Sequence, residues 1–211
     1  MNALILIDIQ NDFLPGGALA VPRGDQVVPI ANAMMRRFPL VIATQDWHPA
    51  NHGSFAAQHP GKKPGDVIVL NGLKQILWPV HCVQGTRGAE FAASLDQTGI
   101  QHIIHKGTDP AIDSYSGLFD NGHKKETGLR DLLQRQKVTA LYIMGLATDY
   151  CVKFTALDAR ELGYPVYLIR DGCRGVDLSP GDSERAVQEM ALAGVVLTQS
   201  SDLMNGTPGR G

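Results

Sequence analysis

Three residues of this 211-residue chain could cooperate as a nucleophilic site: Asp8, Lys106 and Cys151. A carboxylate can take a thiol proton, a thiolate can attack an electrophilic carbon, and an ammonium beside them stabilises both anions. Cys151 lies in the run Gly145-Leu-Ala-Thr-Asp-Tyr-Cys151, between an apolar strand-like segment and a segment with helical spacing through Val152, Thr155, Ala156 and Ala159. That context predicts Cys151 in the first turn of a helix. There the unpaired N–H groups and the helix dipole would favour a thiolate below its free pKa of about 8.5. A cysteine alone is more often a buried structural residue. A strand-end Asp or Lys alone is more often a solvated terminus.

A second constellation is Asp46-Trp-His48. In an extended segment residues two apart point the same way, so this pair can grip one ion. His52 or His81 could complete an Asp-His-His set, with nitrogen and oxygen donors that suit zinc, iron or manganese. The remaining histidines, His59, His102, His105 and His123, are assigned to the surface or the core.

The elements that must position these residues are short apolar strands alternating with amphipathic helices. Strands are predicted at Ala3 to Ile7, Leu40 to Ala43, His102 to His105, Leu141 to Met144, Val166 to Ile169 and Val195 to Thr198. Helices are predicted at Gln26 to Arg37, with Asp25 as N-cap, at Thr127 to Gln136, after Cys151, and at Ser183 to Ala193. This alternation implies βαβ units, and hence an α/β fold with a doubly wound parallel sheet of about six strands and helices on both faces. Ligands in such sheets bind beyond the carboxyl ends of the strands. Asp8, Asp46, His48, Lys106 and Cys151 all fall at that edge. Residues 49–99 read as an irregular excursion and a pocket wall. The tail from Asn205 to Gly211 is expected to fray.

Composition narrows the partners. With 44% hydrophobic residues the chain can fill one core, so residues 1–211 are read as a single domain. The 19 basic and 21 acidic residues are nearly balanced and form no basic run, which argues against nucleic acid and anionic membranes. The apolar N-terminal run meets Asp8 at once and reads as a strand, not a signal, and no run is long enough to span a membrane. Three cysteines without disulfide or metal-knuckle spacing suit the cytoplasm. A small-molecule substrate is expected, and homo-oligomer formation is left open.

Taken together, Asp8-Ile-Gln-Asn-Asp-Phe13, Thr44-Gln-Asp-Trp-His48, Trp78-Pro-Val-His-Cys82, Lys106-Gly107, Tyr115-Ser-Gly117 and Gly145-Leu-Ala-Thr-Asp-Tyr-Cys151 resemble the nicotinamidases of the isochorismatase-like cysteine hydrolases. The pieces occur in family order and cover nearly the whole chain. The resemblance implies Cys151 as nucleophile, Asp8 as general base and Lys106 as the third catalytic member. It implies one divalent metal, zinc first, on Asp46, His48 and His81, with His52 the nearest candidate for a fourth ligand. Phe13 and Trp78 would sandwich a pyridine ring, with Tyr115 nearby. A cis peptide would fall at Leu146 to Ala147, aiming the Ala147 and Cys151 N–H groups at an oxyanion. The implied reaction is deamination of nicotinamide to nicotinate in NAD salvage, with pyrazinamide as a further substrate. A related amidohydrolase acting on a carbamoyl or ureido substrate, or a noncatalytic protein of the same fold, are the alternatives.

Overall fold

The computed structural model describes residues 1–205, and the expected tail beyond Asn205 lies outside the described residues. In chain order the strands and helices are β1 (Asn2–Ile7), α1 (Val27–Met35), β2 (Leu40–Asp46), β3 (Val67–Leu70), β4 (Leu73–Ile76) and β5 (His102–Lys106). There follow α2 (Leu129–Arg135), β6 (Ala140–Leu146), α3 (Lys153–Glu161), β7 (Val166–Arg174), α4 (Asp182–Leu192), β8 (Val196–Thr198) and α5 (Ser200–Asn205).

Six strands form one sheet in the order β5-β2-β1-β6-β7-β8, and every pairing in it is parallel. From Ala3 to Ile7, β1 is continuously apolar, as befits a strand buried on both faces. Helix α1 packs on α5 and β7, while α3 packs on α4 and β7. From β1 the chain winds outward to β2 and β5, and from β6 it winds the other way to β7 and β8. The switch in strand order therefore lies between β1 and β6. Asp8 follows the first of these and Cys151 the second, at the crevice where doubly wound sheets bind ligands.

Several boundaries differ from the sequence reading. β2 continues to Asp46 and β7 to Arg174, because their polar ends are still paired with neighbouring strands. Gly145 does not break β6. It stays in register opposite Ile7 with φ +127°, where a Cβ would lie 2.1 Å from the Ile7 carbonyl oxygen, so only glycine fits. Asp25 does not cap α1; it sits in a 3₁₀ turn, Gly24–Gln26, and makes no side-chain cap bond.

The excursion at 49–99 is more ordered than its composition suggests. β3 and β4 make an antiparallel hairpin around Asn71-Gly72, both residues with positive φ, a favoured two-residue turn. Isolated bridges from Gln10 to Phe91 and from His48 to Val83 tie the excursion back to the sheet edge, and one from Phe55 to Trp78 braces it internally.

Candidate active site

Lys106 is the hub. Although it is the last residue of a sheet-edge strand, it is 1% exposed. Its Nζ lies 2.8 Å from Asp8 Oδ2, 2.5 Å from Asp46 Oδ1 and 3.0 Å from the Ser114 carbonyl oxygen, and it donates to Cys151 Sγ at 3.3 Å. A buried ammonium needs such partners, because removing one of them leaves an uncompensated charge. Burial by itself would lower the Lys106 pKa, but Asp46, Asp8 and Cys151 hold it well above the ordinary lysine value. Burial likewise would raise Asp46, yet Lys106, His48 and His81 keep it well below the carboxylate range. Asp8 goes the other way: burial is the largest influence and, against the pull of Lys106, raises it.

The Cys151 thiol differs from the expectation. A π-helical turn, Thr148–Val152, precedes α3, so Cys151 is not in the first turn of a regular α-helix. Burial pushes its pKa well above the ordinary thiol value; Lys106 opposes, while Asp8 and Asp46 add to the rise. The dipole argument fails because the thiol is buried beside two carboxylates. The resting group is a thiol, and its proton needs an acceptor within reach.

The second constellation is equally close. Asp46 Oδ2 lies 3.6 Å from His48 Nε2 and 3.8 Å from His81 Nε2, and all three donor atoms fall within 4.8 Å of one another. His48 Nδ1 is bonded to the Gly107 carbonyl and His81 Nδ1 to the Pro79 carbonyl, each at 2.8 Å. Those bonds place the ring protons on Nδ1 and leave both Nε2 lone pairs aimed at one point, the outer-shell pattern of ligating histidines. The donor set fits a divalent metal. Gly107, with φ +63°, permits the His48 contact: a Cβ there would lie 2.3 Å from His48 Cε1. His52 falls in a different group, with His48 and Asp113. Its Nδ1 is bonded to Ser54 Oγ at 2.7 Å, and burial lowers its pKa to about 4, so the ring is neutral.

Cys151 and all three members of the second constellation border one cleft. Phe13, Trp78 and Tyr115 line it as expected, alongside Asp46, His48, His81, Ala147 and Cys151. The peptide between Leu146 and Ala147 is cis. Leu19, Asp113, Tyr150 and Val176 also line the cleft and were not identified from sequence. Leu19 and Val176 carry no chemical signal in the chain, and Tyr150 could have been suspected only from its place beside Cys151.

Residues 2–202 match the isochorismatase domain. The chain belongs to the isochorismatase family. It is 53% identical over 205 residues to the nicotinamidase of Escherichia coli strain K12, covering 95% of this chain and 96% of that one. A solved nicotinamidase/pyrazinamidase from Acinetobacter baumanii superposes with a TM-score of 0.93 at 47% identity, covering 96% of this chain and 97% of the other. A pyrazinamidase of Pyrococcus horikoshii, solved in complex with zinc, superposes with a TM-score of 0.76 at 42% identity, covering 94% and 98%. Among the described residues of this isochorismatase-family chain, no helix is long and apolar enough to cross a membrane.

Proposed function

We infer that this chain is a nicotinamidase, hydrolysing nicotinamide to nicotinate and ammonia in NAD salvage. The observation that carries the mechanism is the contact of Cys151 Sγ with Lys106 Nζ, itself 2.8 Å from Asp8 Oδ2, on a cleft whose walls are aromatic. Pyrazinamide has the same carboxamide on a similar flat ring and suits the same slot.

Phe13, Trp78 and Tyr115 hold the ring, and the carboxamide carbon faces Cys151. Asp8 takes the thiol proton, and its raised pKa narrows the gap to the thiol and makes it a better base. The sulfur attacks the carbonyl carbon to give a tetrahedral oxyanion, held by the Ala147 and Cys151 N–H groups. Asp8 returns the proton to the nitrogen, the C–N bond breaks, and ammonia leaves a thioester. Water then gives a proton to Asp8 as its oxygen attacks; the C–S bond breaks, the proton returns to sulfur, and nicotinate departs. Lys106 remains protonated throughout and balances the carboxylates.

Asp46, His48 and His81 would hold the metal, with zinc the preferred ion for this nitrogen and oxygen donor set. A bound metal supplies a Lewis-acidic position that orients a ring nitrogen. Trp78 and His81 come from residues 49–99, which supports the reading of that segment as a pocket wall within one catalytic domain. A cytoplasmic setting agrees with the three free cysteines, all buried.

Ammonia release from nicotinamide by the purified protein tests this reading. Release is expected, and its absence from metal-loaded protein would overturn the substrate assignment.

A further inference from the structure

Asp8 sits in an unusual backbone conformation. Its φ is +47°, in the left-handed region that non-glycine residues seldom occupy, where the chain turns out of β1 at the crevice. Its carboxylate must present one oxygen to Cys151 from that turn, and a buried carboxylate has two oxygens that could compete for the proton. Thr44, on the neighbouring strand β2 and 0% exposed, touches Asp8 twice. The Asp8 backbone N–H donates to Thr44 Oγ1 at 3.2 Å, and Thr44 Oγ1 donates to Asp8 Oδ1 at 2.6 Å.

The two bonds fix each other's polarity. A hydroxyl has one proton; with its oxygen already accepting from the Asp8 N–H, that proton goes to Oδ1. Oδ1 is thus occupied as an acceptor. Oδ2 has no hydroxyl or backbone donor, only the Lys106 ammonium at 2.8 Å, and so keeps a lone pair for the Cys151 proton. The Thr44 methyl has a separate duty: it packs so closely on Gly117 that a Cβ there would lie 2.9 Å from it.

We propose that Thr44 is the positioning residue of the proton relay, clamping Asp8 through its backbone and Oδ1 so that Oδ2 alone exchanges the Cys151 proton. Thr44 does not touch the substrate. The proposal rests on the cysteine hydrolase mechanism above, and it makes the hydroxyl, not the packing, the functional part of the residue.

The test compares Thr44→Val with Thr44→Ser in metal-loaded protein. Four quantities are read: turnover of nicotinamide, competitive inhibition by nicotinate, bound metal, and the rate of Cys151 alkylation by iodoacetamide. In Thr44→Val, turnover is expected to fall about 30- to 100-fold, up to the lower end of a general-base contribution because Asp8 itself remains, and alkylation about tenfold. Nicotinate inhibition should stay within about twofold and metal content at one per chain, because the aromatic slot and the ligands are untouched. Thr44→Ser keeps the hydroxyl and should stay within about threefold of the parent in turnover and alkylation. If Thr44→Val fails to fold, Thr44→Ala replaces it, since Ser and Ala differ only by the hydroxyl.

Equal losses in the two variants would overturn the proposal in favour of packing. Loss of metal or of nicotinate inhibition in step with turnover would also overturn it, placing the effect on Asp46 two residues on. If the parent protein releases no ammonia, the substrate assignment fails. The alkylation series needs no substrate and still decides the role of Thr44.

Discussion

The two halves of the site are built differently. Asp8, Lys106 and Cys151 come from the residue after β1, the end of β5 and the turn after β6, elements fixed by the register of one parallel sheet. The metal set takes Asp46 from the end of β2 and His48 two residues on, but His81 comes from the excursion, with no main-sheet strand behind it. What holds His81 is contact between loops: the Cys82 N–H donates to Asp12 Oδ2 at 2.7 Å, the His48 N–H donates to the Cys82 carbonyl, and Cys82 adopts φ +45°. A sheet positions the proposed nucleophile, whereas a loop and one carboxylate position a proposed metal ligand. The halves meet at Asp46, one oxygen of which faces Lys106 and the other the histidines.

The sharpest division should come from Cys151→Ala. Turnover is expected to fall at least about 10,000-fold, as for loss of a covalent nucleophile, with metal content unchanged. Ammonia assay beside metal analysis checks both. Lys106→Met should cross the division, because it removes the cation shared by Asp8 and Asp46. Besides losing activity, it is expected to lose about 3–5 kcal/mol of stability in denaturant unfolding, the cost of leaving buried charge uncompensated. Asp12→Ala should act on the loop half alone. Metal affinity, read by chelator competition, is expected to weaken about 10- to 100-fold, while Cys151 alkylation keeps its rate. An equal loss of both would show that the halves are not independent.

Two smaller effects follow. Asp8 must be ionised to accept the thiol proton, and its pKa is raised above 3.8, so activity is lost as pH falls through a value higher than that of an ordinary aspartate. The acid limb of kcat/KM in metal-saturated protein measures this; a limb at or below 3.8 would contradict the burial of Asp8. Iodoacetamide should label Cys151 and spare the others. Cys151 lines the cleft, whereas Cys173 donates its S–H to the Ile169 carbonyl and Cys82 is 0% exposed, and neither of these lines it.

The alternation of apolar runs and helical spacing was enough to predict the parallel sheet, because strands buried on both faces leave an unbroken hydrophobic signature. It was also enough to bring Asp8, Asp46, Lys106 and Cys151 to one edge, since each follows or ends such a run. Residues 49–99 were less legible. The Asn71-Gly72 turn was present as a hairpin signal, but the flanking pieces are short and only partly buried, so no alternation stood out.

The chain by itself determined which chemical groups would arrive at the carboxyl edge of the sheet, because strand polarity and residue order are written in it. Only the tertiary structure decided their charge states and their partners. Those depend on burial and on contacts between segments far apart in sequence, such as Thr44 with Asp8 and Lys106 with Cys151, for which a linear pattern has no term. The thiol shows this most plainly: local helix context predicted a lowered pKa, and the three-dimensional neighbourhood of buried carboxylates reversed it.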